Sequence, residues 1–242
     1  MRYRVLVAGW ALIWSSLLLF GYVGWQLWVT DWLNAGQQTE ASGALRAELS
    51  LPAPPPQTID PQDSFDDVEQ PPDDVPESVD YFPEEHPDIG EAFGFLTIPA
   101  IGLEDIVLYE GVDRETLKKG PGHMERTPLP GQPGNSVISG HRTTYGRPFF
   151  DFDLLELGDT VEVETAVGTH VYAVREIIVV EPTDVWVTDH RDGGWLTMTT
   201  CEPKFSARQR LVIWAEMVDG PNLDFISLQD LLGHRLPTMP VG

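Results

Sequence analysis

Leu196-Thr197-Met198-Thr199-Thr200-Cys201-Glu202-Pro203 is the stretch on which the reading of this chain turns. A proline has no backbone donor for a β-ladder, so the strand is expected to stop at Cys201 and to present the thiol at the rim of a sheet. Cys201 is the only cysteine among 242 residues, so it has no internal disulfide partner. It is an inert buried thiol, an intermolecular bridge or a reactive group.

Nine residues further on, Arg210 opens the run Leu211-Val212-Ile213-Trp214. A hairpin-like connection would return it to the side of Cys201. Upstream, Val137-Ile138-Ser139 runs into Gly140-His141-Arg142, a second apolar strand that ends in a polar cluster. A glycine in that place permits close approach of another backbone or of a ligand. A nucleophilic cysteine needs a proton-exchanging partner and a positive group beside the developing oxyanion, and His141 and Arg210 are the candidates for these roles. Arg208 shares the strand parity of Arg210 and is the second candidate cation, although it falls inside the loop. Each residue also has a plain alternative: a core thiol, a strand-end histidine, one arginine among several.

The wider pattern predicts β structure. Runs at 95–98, 106–109, 135–139, 160–164, 170–180, 195–200 and 210–218 are separated by turn signals such as Gly131-Gln132-Pro133-Gly134 and Asp192-Gly193-Gly194. Thr160-Val161-Glu162-Val163-Glu164 alternates with period two, the mark of a strand with one wet face, whereas the continuous run 177–180 suggests burial on both sides. Asp113 is placed to cap a helical turn over 113–118, and 225–232 reads as a short surface helix. No internal repeat is visible, and many short strands with few helices indicate a barrel or a sandwich.

The run 196–203 with Arg210 beyond it resembles the signature of the sortase family, in which a Thr-Leu-x-Thr-Cys strand precedes a strand-opening arginine. Met198 stands where leucine is frequent. Gly131 to Asn135 leading through Ser139-Gly140-His141-Arg142-Thr143-Thr144-Tyr145-Gly146 resembles the family's histidine strand. Gly158-Asp159-Thr160-Val161 and Glu181-Pro182-Thr183-Asp184 are further landmarks, so the likeness covers about 93–218. Thr-Thr-Cys-x-Pro together with Gly-His-Arg-Thr-Thr-Tyr-Gly is most similar to the class E housekeeping enzymes of actinobacteria. A C-terminal span, expected of the pilin-polymerising class C, is missing from the pattern.

The resemblance implies an all-β fold, an eight-stranded β-barrel with short helices, at 92–219. It implies a Leu-x-x-Thr-Gly type sorting signal, with alanine expected at the second position, as substrate. Cys201 would form a thioester with the threonine, His141 would protonate the leaving amine, and Arg210 would hold the oxyanion. The partners implied are surface proteins carrying sorting signals and the amine of a peptidoglycan precursor. Thr200 and Tyr145 are the substrate-binding candidates, each with packing as the alternative. Two other functions stay open: a cysteine hydrolase that delivers peptides to water, and a non-catalytic peptide-binding surface module.

The flanks complete the expectation. Arg2 and Arg4 precede an apolar run of about 25 residues, 5–29, where a bilayer needs about 20. No convincing cleavage site precedes Trp32, so an uncleaved anchor is favoured over a signal peptide. The basic residues before the run place 1–4 in the cytoplasm and the remainder outside a cell membrane crossed once. Segment 30–91, rich in Pro, Asp and Glu, reads as a disordered acidic linker, and 220–242 as a tail. With 15 basic against 38 acidic residues and a net charge of −23, a nucleic-acid partner is set aside. His123 is read as structural, and His170 and His190 as surface residues. No metal-ligand spacing or calcium loop is found, so no metal and no cofactor is expected.

Overall fold

The computed structural model describes residues 2–25, 30–50, 52–60, 76 and 78–232. Two helices, α1 (Arg2–Gly24) and α2 (Thr30–Leu49), and a two-stranded ribbon of β1 (Gln57–Ile59) and β2 (Val79–Tyr81) come first. Then follow β3 (Ala92–Ile98), β4 (Leu103–Glu110), α3 (Arg114–Lys119), β5 (Gly122–His123), β6 (Gly134–Ser139), β7 (Thr160–Thr165), β8 (Gly168–Val180), β9 (Gly194–Glu202), β10 (Gln209–Asp219) and α4 (Leu223–Leu231). Strands β3 to β10 close into an eight-stranded barrel in the order β10-β8-β7-β3-β4-β5-β6-β9, with β9 pairing to β10 to complete the ring.

The alternation in β7 does what its sequence predicts. Val161 and Val163 are fully buried while Glu162 and Glu164 keep contact with water. Leu96, Ile98, Leu108, Ile138, Leu196, Met198 and Ile213 fill the barrel from the other strands. Phe149 and Phe152, from the long connection after β6, complete this core with rings stacked at 3.9 Å. Asp113 caps α3, its Oδ1 accepting from the backbone N–H groups of Glu115 and Thr116.

Three expectations need correction. First, part of the acidic linker is ordered. Helix α2 lies on β3 and β4, with Leu45 buried against Phe95, Val107 and Tyr109. Among the described residues the edge of β4 next to Val107 has no strand partner, because β5 pairs only with Tyr109 and Glu110. Gln38 takes that place: its Oε1 accepts from Val107 N at 2.9 Å and its Nε2 donates to Lys119 O at 2.7 Å. A side-chain amide thus satisfies backbone groups that would otherwise be an open sheet edge. Arg46 adds ion pairs to Asp105 and Glu164 and stacks on the Phe95 ring. Further along, β1 pairs with β2, and Tyr81 packs on Phe225 of α4; residues 61–75 lie outside the described residues.

Second, 177–180 is not buried on both sides. The β7 ladder ends at the Thr160 and Ala173 pair, so the far half of β8 has β10 as its neighbour and Val179 is exposed. Third, His170 is fully buried, not a surface residue. It shares strand parity with Tyr172 and Val174, and its ring packs against Gly131, where any Cβ would collide with it. Burial pushes its imidazole down to about 4. His190 is exposed, as expected.

Helix α1 covers most of the apolar N-terminal run, with Leu12, Leu18 and Phe20 exposed. Residues 26–29 of the expected span lie outside the described residues. Among the described residues no helix is long and apolar enough to cross a membrane.

Candidate active site

Strand register brings the cysteine and the arginine together. In the antiparallel pair of β9 and β10, Cys201 stands directly opposite Arg210. Residues so paired point to the same face with Cβ atoms about 4.5–5.5 Å apart. Arg208 precedes β10 and has no such placement. The Arg210 guanidinium is half-buried and donates to the carbonyls of Ala207 and Gln209 at 3.1 and 3.0 Å. No carboxylate pairs with it among the described residues, so it keeps charge and donors available for a ligand.

The parallel pair of β6 and β9 brings in the histidine. Ser139 pairs with Thr199, and the ladder runs on through Gly140 N, which donates to Thr199 O at 3.1 Å. Carrying that register two residues past Ser139 sets His141 abreast of Cys201. Thr200 fixes the arrangement, for its buried hydroxyl donates to Gly140 O at 2.8 Å. The described contacts of Thr200 are therefore those of a positioning residue. Gly140 is required for a different approach than that of a ligand: a Cβ there would lie 2.5 Å from the Phe149 ring.

Beyond His141 the chain turns sharply, with Tyr145, Gly146 and Arg147 all at positive φ and Phe149 N returning to His141 O. Two of these three carry side chains, and such backbone persists only where its surroundings over-determine it. The turn places the Tyr145 ring 5.0 Å from the His141 ring. Burial lowers the pKa of the His141 imidazole below its ordinary value. No hydrogen bond joins the Cys201 thiol to His141 among the described residues. Free enzymes often hold their proton-transfer partners at long range until a substrate arrives.

Arg142 is the residue that sequence reasoning left without a role. It is almost fully buried, and it spans from the histidine loop to the cysteine strand. Nη1 donates to Cys201 O at 3.2 Å and to Glu202 Oε2 at 2.8 Å, Nε donates to Phe150 O, and Nη2 pairs with Asp153. Burial of Asp153 opposes ionisation, but the hydrogen bond from Lys204 and the Arg142 charge hold its carboxyl below the usual range. Adjacency to His141 was the one signal available in the sequence.

His86, Glu110 and His123 also come together, away from the cysteine. Separations of 24 and 13 residues between them, as their numbers show, fit no local ligand motif. The fold, not local spacing, assembles this grouping.

Residues 96–218 match the sequence profile of the Sortase domain. Sortase SrtE1 of Streptomyces coelicolor is 33% identical over 146 residues, which cover 54% of the chain and 41% of that protein. Sortase D of Bacillus subtilis is 34% identical over 137 residues, 54% of the chain and 67% of that protein. Among solved structures, sortase E from Streptomyces avermitilis is 37% identical with a TM-score of 0.50, covering 55% of the chain and 93% of that chain. The chain thus matches only about two fifths of the length of sortase SrtE1.

Proposed function

Because the chain belongs to the sortase family, we propose that it is a membrane-anchored cysteine transpeptidase acting on a Leu-x-x-Thr-Gly type sorting signal, with alanine favoured at the second position. The observation that carries this reading is the pairing of Cys201 with Arg210 on adjacent strands; the β6 and β9 ladder, which ends at Ser139 and Thr199, leads toward His141.

In the reaction, the Cys201 thiolate attacks the threonine carbonyl carbon. The electron pair of the carbonyl moves to oxygen, and the Arg210 guanidinium donates hydrogen bonds to the oxyanion. Collapse of the intermediate breaks the bond to the glycine nitrogen, which leaves as an amine after taking a proton from His141. The product is a thioester between Cys201 and the threonine. An acceptor amine, proposed to belong to a peptidoglycan precursor, then attacks the thioester, gives a proton to His141 and releases the thiolate. A thiolate and an imidazole suit these tasks because each exchanges a proton within a few units of neutrality. Tyr145, whose ring lies beside His141, is proposed to line the substrate groove.

The anchor rests on Arg2 and Arg4 before the apolar run, and on the exposed Leu12, Leu18 and Phe20 of α1. Each side chain of this size left in water forgoes about 1.5–3 kcal/mol of burial. A bilayer would cover them, with the barrel outside the cytoplasm.

The full chain in detergent micelles, given a Leu-Ala-x-Thr-Gly peptide and an amine acceptor, is expected to produce the threonyl amide, while Cys201→Ala gives none. Free acid as the sole product with acceptor in excess would make the protein a hydrolase. Unchanged turnover in Cys201→Ala would end the enzymatic reading altogether.

A further inference from the structure

We propose that His86, Glu110 and His123 bind one divalent transition-metal ion of the zinc class, clamping the segment before β3 to the edge of β4 and β5. His86 and His123 each direct Nδ1 at the Glu110 carboxylate, His86 to Oε1 at 3.2 Å and His123 to Oε2 at 2.8 Å. The three ligand atoms lie within 4.8 Å of one another. Glu110 and His123 are held abreast by the parallel pairing of β4 with β5, and both are almost fully buried.

The hydrogen bonding of His123 shows how its Nδ1 comes to face the carboxylate. Its Nε2 lies 3.0 Å from Pro128 O, which can only accept. The nearby Thr127 hydroxyl donates to Met124 O at 2.8 Å, so it too faces Nε2 as an acceptor. Nε2 therefore carries a ring hydrogen. Nδ1 is left to face Glu110 Oε2 at 2.8 Å, a contact that either a proton or a shared metal ion must bridge. An imidazole whose outer N–H is fixed by a carbonyl is also the usual support of a metal-bound histidine.

The dimensions agree. In a tetrahedral zinc site with bonds of about 2.0–2.2 Å, neighbouring ligand atoms are about 3.4 Å apart. Against that spacing the His86 and His123 contacts to the two carboxylate oxygens, at 3.2 and 2.8 Å, would open by about 0.2 and 0.6 Å, and no pair of ligand atoms lies beyond 4.8 Å. Two imidazoles and one carboxylate suit zinc and its neighbours, whereas calcium and magnesium prefer all-oxygen shells. His86 and Glu110 line a cleft also bordered by Glu84, Thr127 and Gly134, which offers a route in and room for a water as fourth ligand. Glu84, whose carboxyl burial pushes up to about 7, also borders the cleft and has one buried oxygen without a hydrogen-bond partner. Neither Cys201 nor His141 lines this cleft, so the site is distinct from the proposed chemistry.

The test is a zinc titration of the full chain in detergent against a competing chelator, in a Cys201→Ala background so that the thiol cannot bind the metal. One equivalent of tight zinc is expected, unaffected by millimolar calcium, with a cobalt form showing the absorption of a low-symmetry site. Adding His86→Ala, at the solvent-facing ligand, should weaken binding about 100-fold or more, since even a supporting partner is worth 10–100-fold. His86→Gln serves as the second variant should the alanine variant lose the circular dichroism of the fold. No stoichiometric zinc in the Cys201→Ala chain, or equal zinc with and without His86, would overturn the assignment.

Discussion

Arg142 and Arg210 flank the same cysteine strand, and they could hardly be used more differently. Arg142 is almost fully buried and spends its guanidinium on two carboxylates and two backbone carbonyls. Arg210 is half-buried, opposite Cys201, and among the described residues is bound only to nearby carbonyls of its own loop and strand. A buried cation with all its partners in place holds structure together and has little left to offer a substrate. One with no carboxylate partner can meet a charge that appears only during reaction. The two arginines thus divide the site into a frame and a working face.

That division is open to attack at four points. The largest effect is expected for Arg210→Ala: kcat/KM should fall about 100–1000-fold, as when an oxyanion donor is removed, with little change in melting temperature. A variant that lost stability and kept its turnover would place Arg210 in the frame. Arg142→Ala should do the reverse in denaturant titrations, losing about 2–3 kcal/mol. This is less than the usual 3–5 for breaking a buried pair, because Asp153 and Glu202 reach water and are partly screened.

Gly140→Ala pushes a methyl group into the Phe149 ring and should cost about 1–3 kcal/mol, the range for overpacking a filled core. Calorimetry showing no loss would mean that the histidine strand is not packed against this ring. The smallest effect is a displaced pH profile. Burial keeps the His141 imidazole below its ordinary pKa, so Tyr145→Ala, by admitting water, should raise it. The acid limb of kcat/KM, where the free imidazole gains its proton, should then move to higher pH. Movement to lower pH would show that Tyr145 does not shelter the ring.

How far the sequence carries this picture depends on the range of the interactions. The Val161 and Val163 alternation, the Asp113 cap and the strand that ends just before Pro203, one residue past the expected stop at Cys201, are local, and each could be read from a few residues. Arg210 was legible because one hairpin returns it to Cys201. Gln38 was not, since its task is set by a gap in the ladder beside Val107, some seventy residues away. Helix α2 was lost in the reading of the linker for the same reason: its Ala and Gln residues make sense only against β4. His170 could have been placed by its parity with Tyr172, a signal present in the strand but not used. Arg142 carried the least warning, because its partners are split between its own β6–β7 connection and strand β9, some sixty residues away.

The division between frame and working face is tested most directly by the intact mass of the full chain mixed with sorting peptide and no acceptor amine. Wild type and Arg142→Ala, the latter at a temperature where it is folded, should gain the mass of the acyl fragment on Cys201, while folded Arg210→Ala should gain almost none in the same time. Acylation of Arg210→Ala at the wild-type rate would contradict the account.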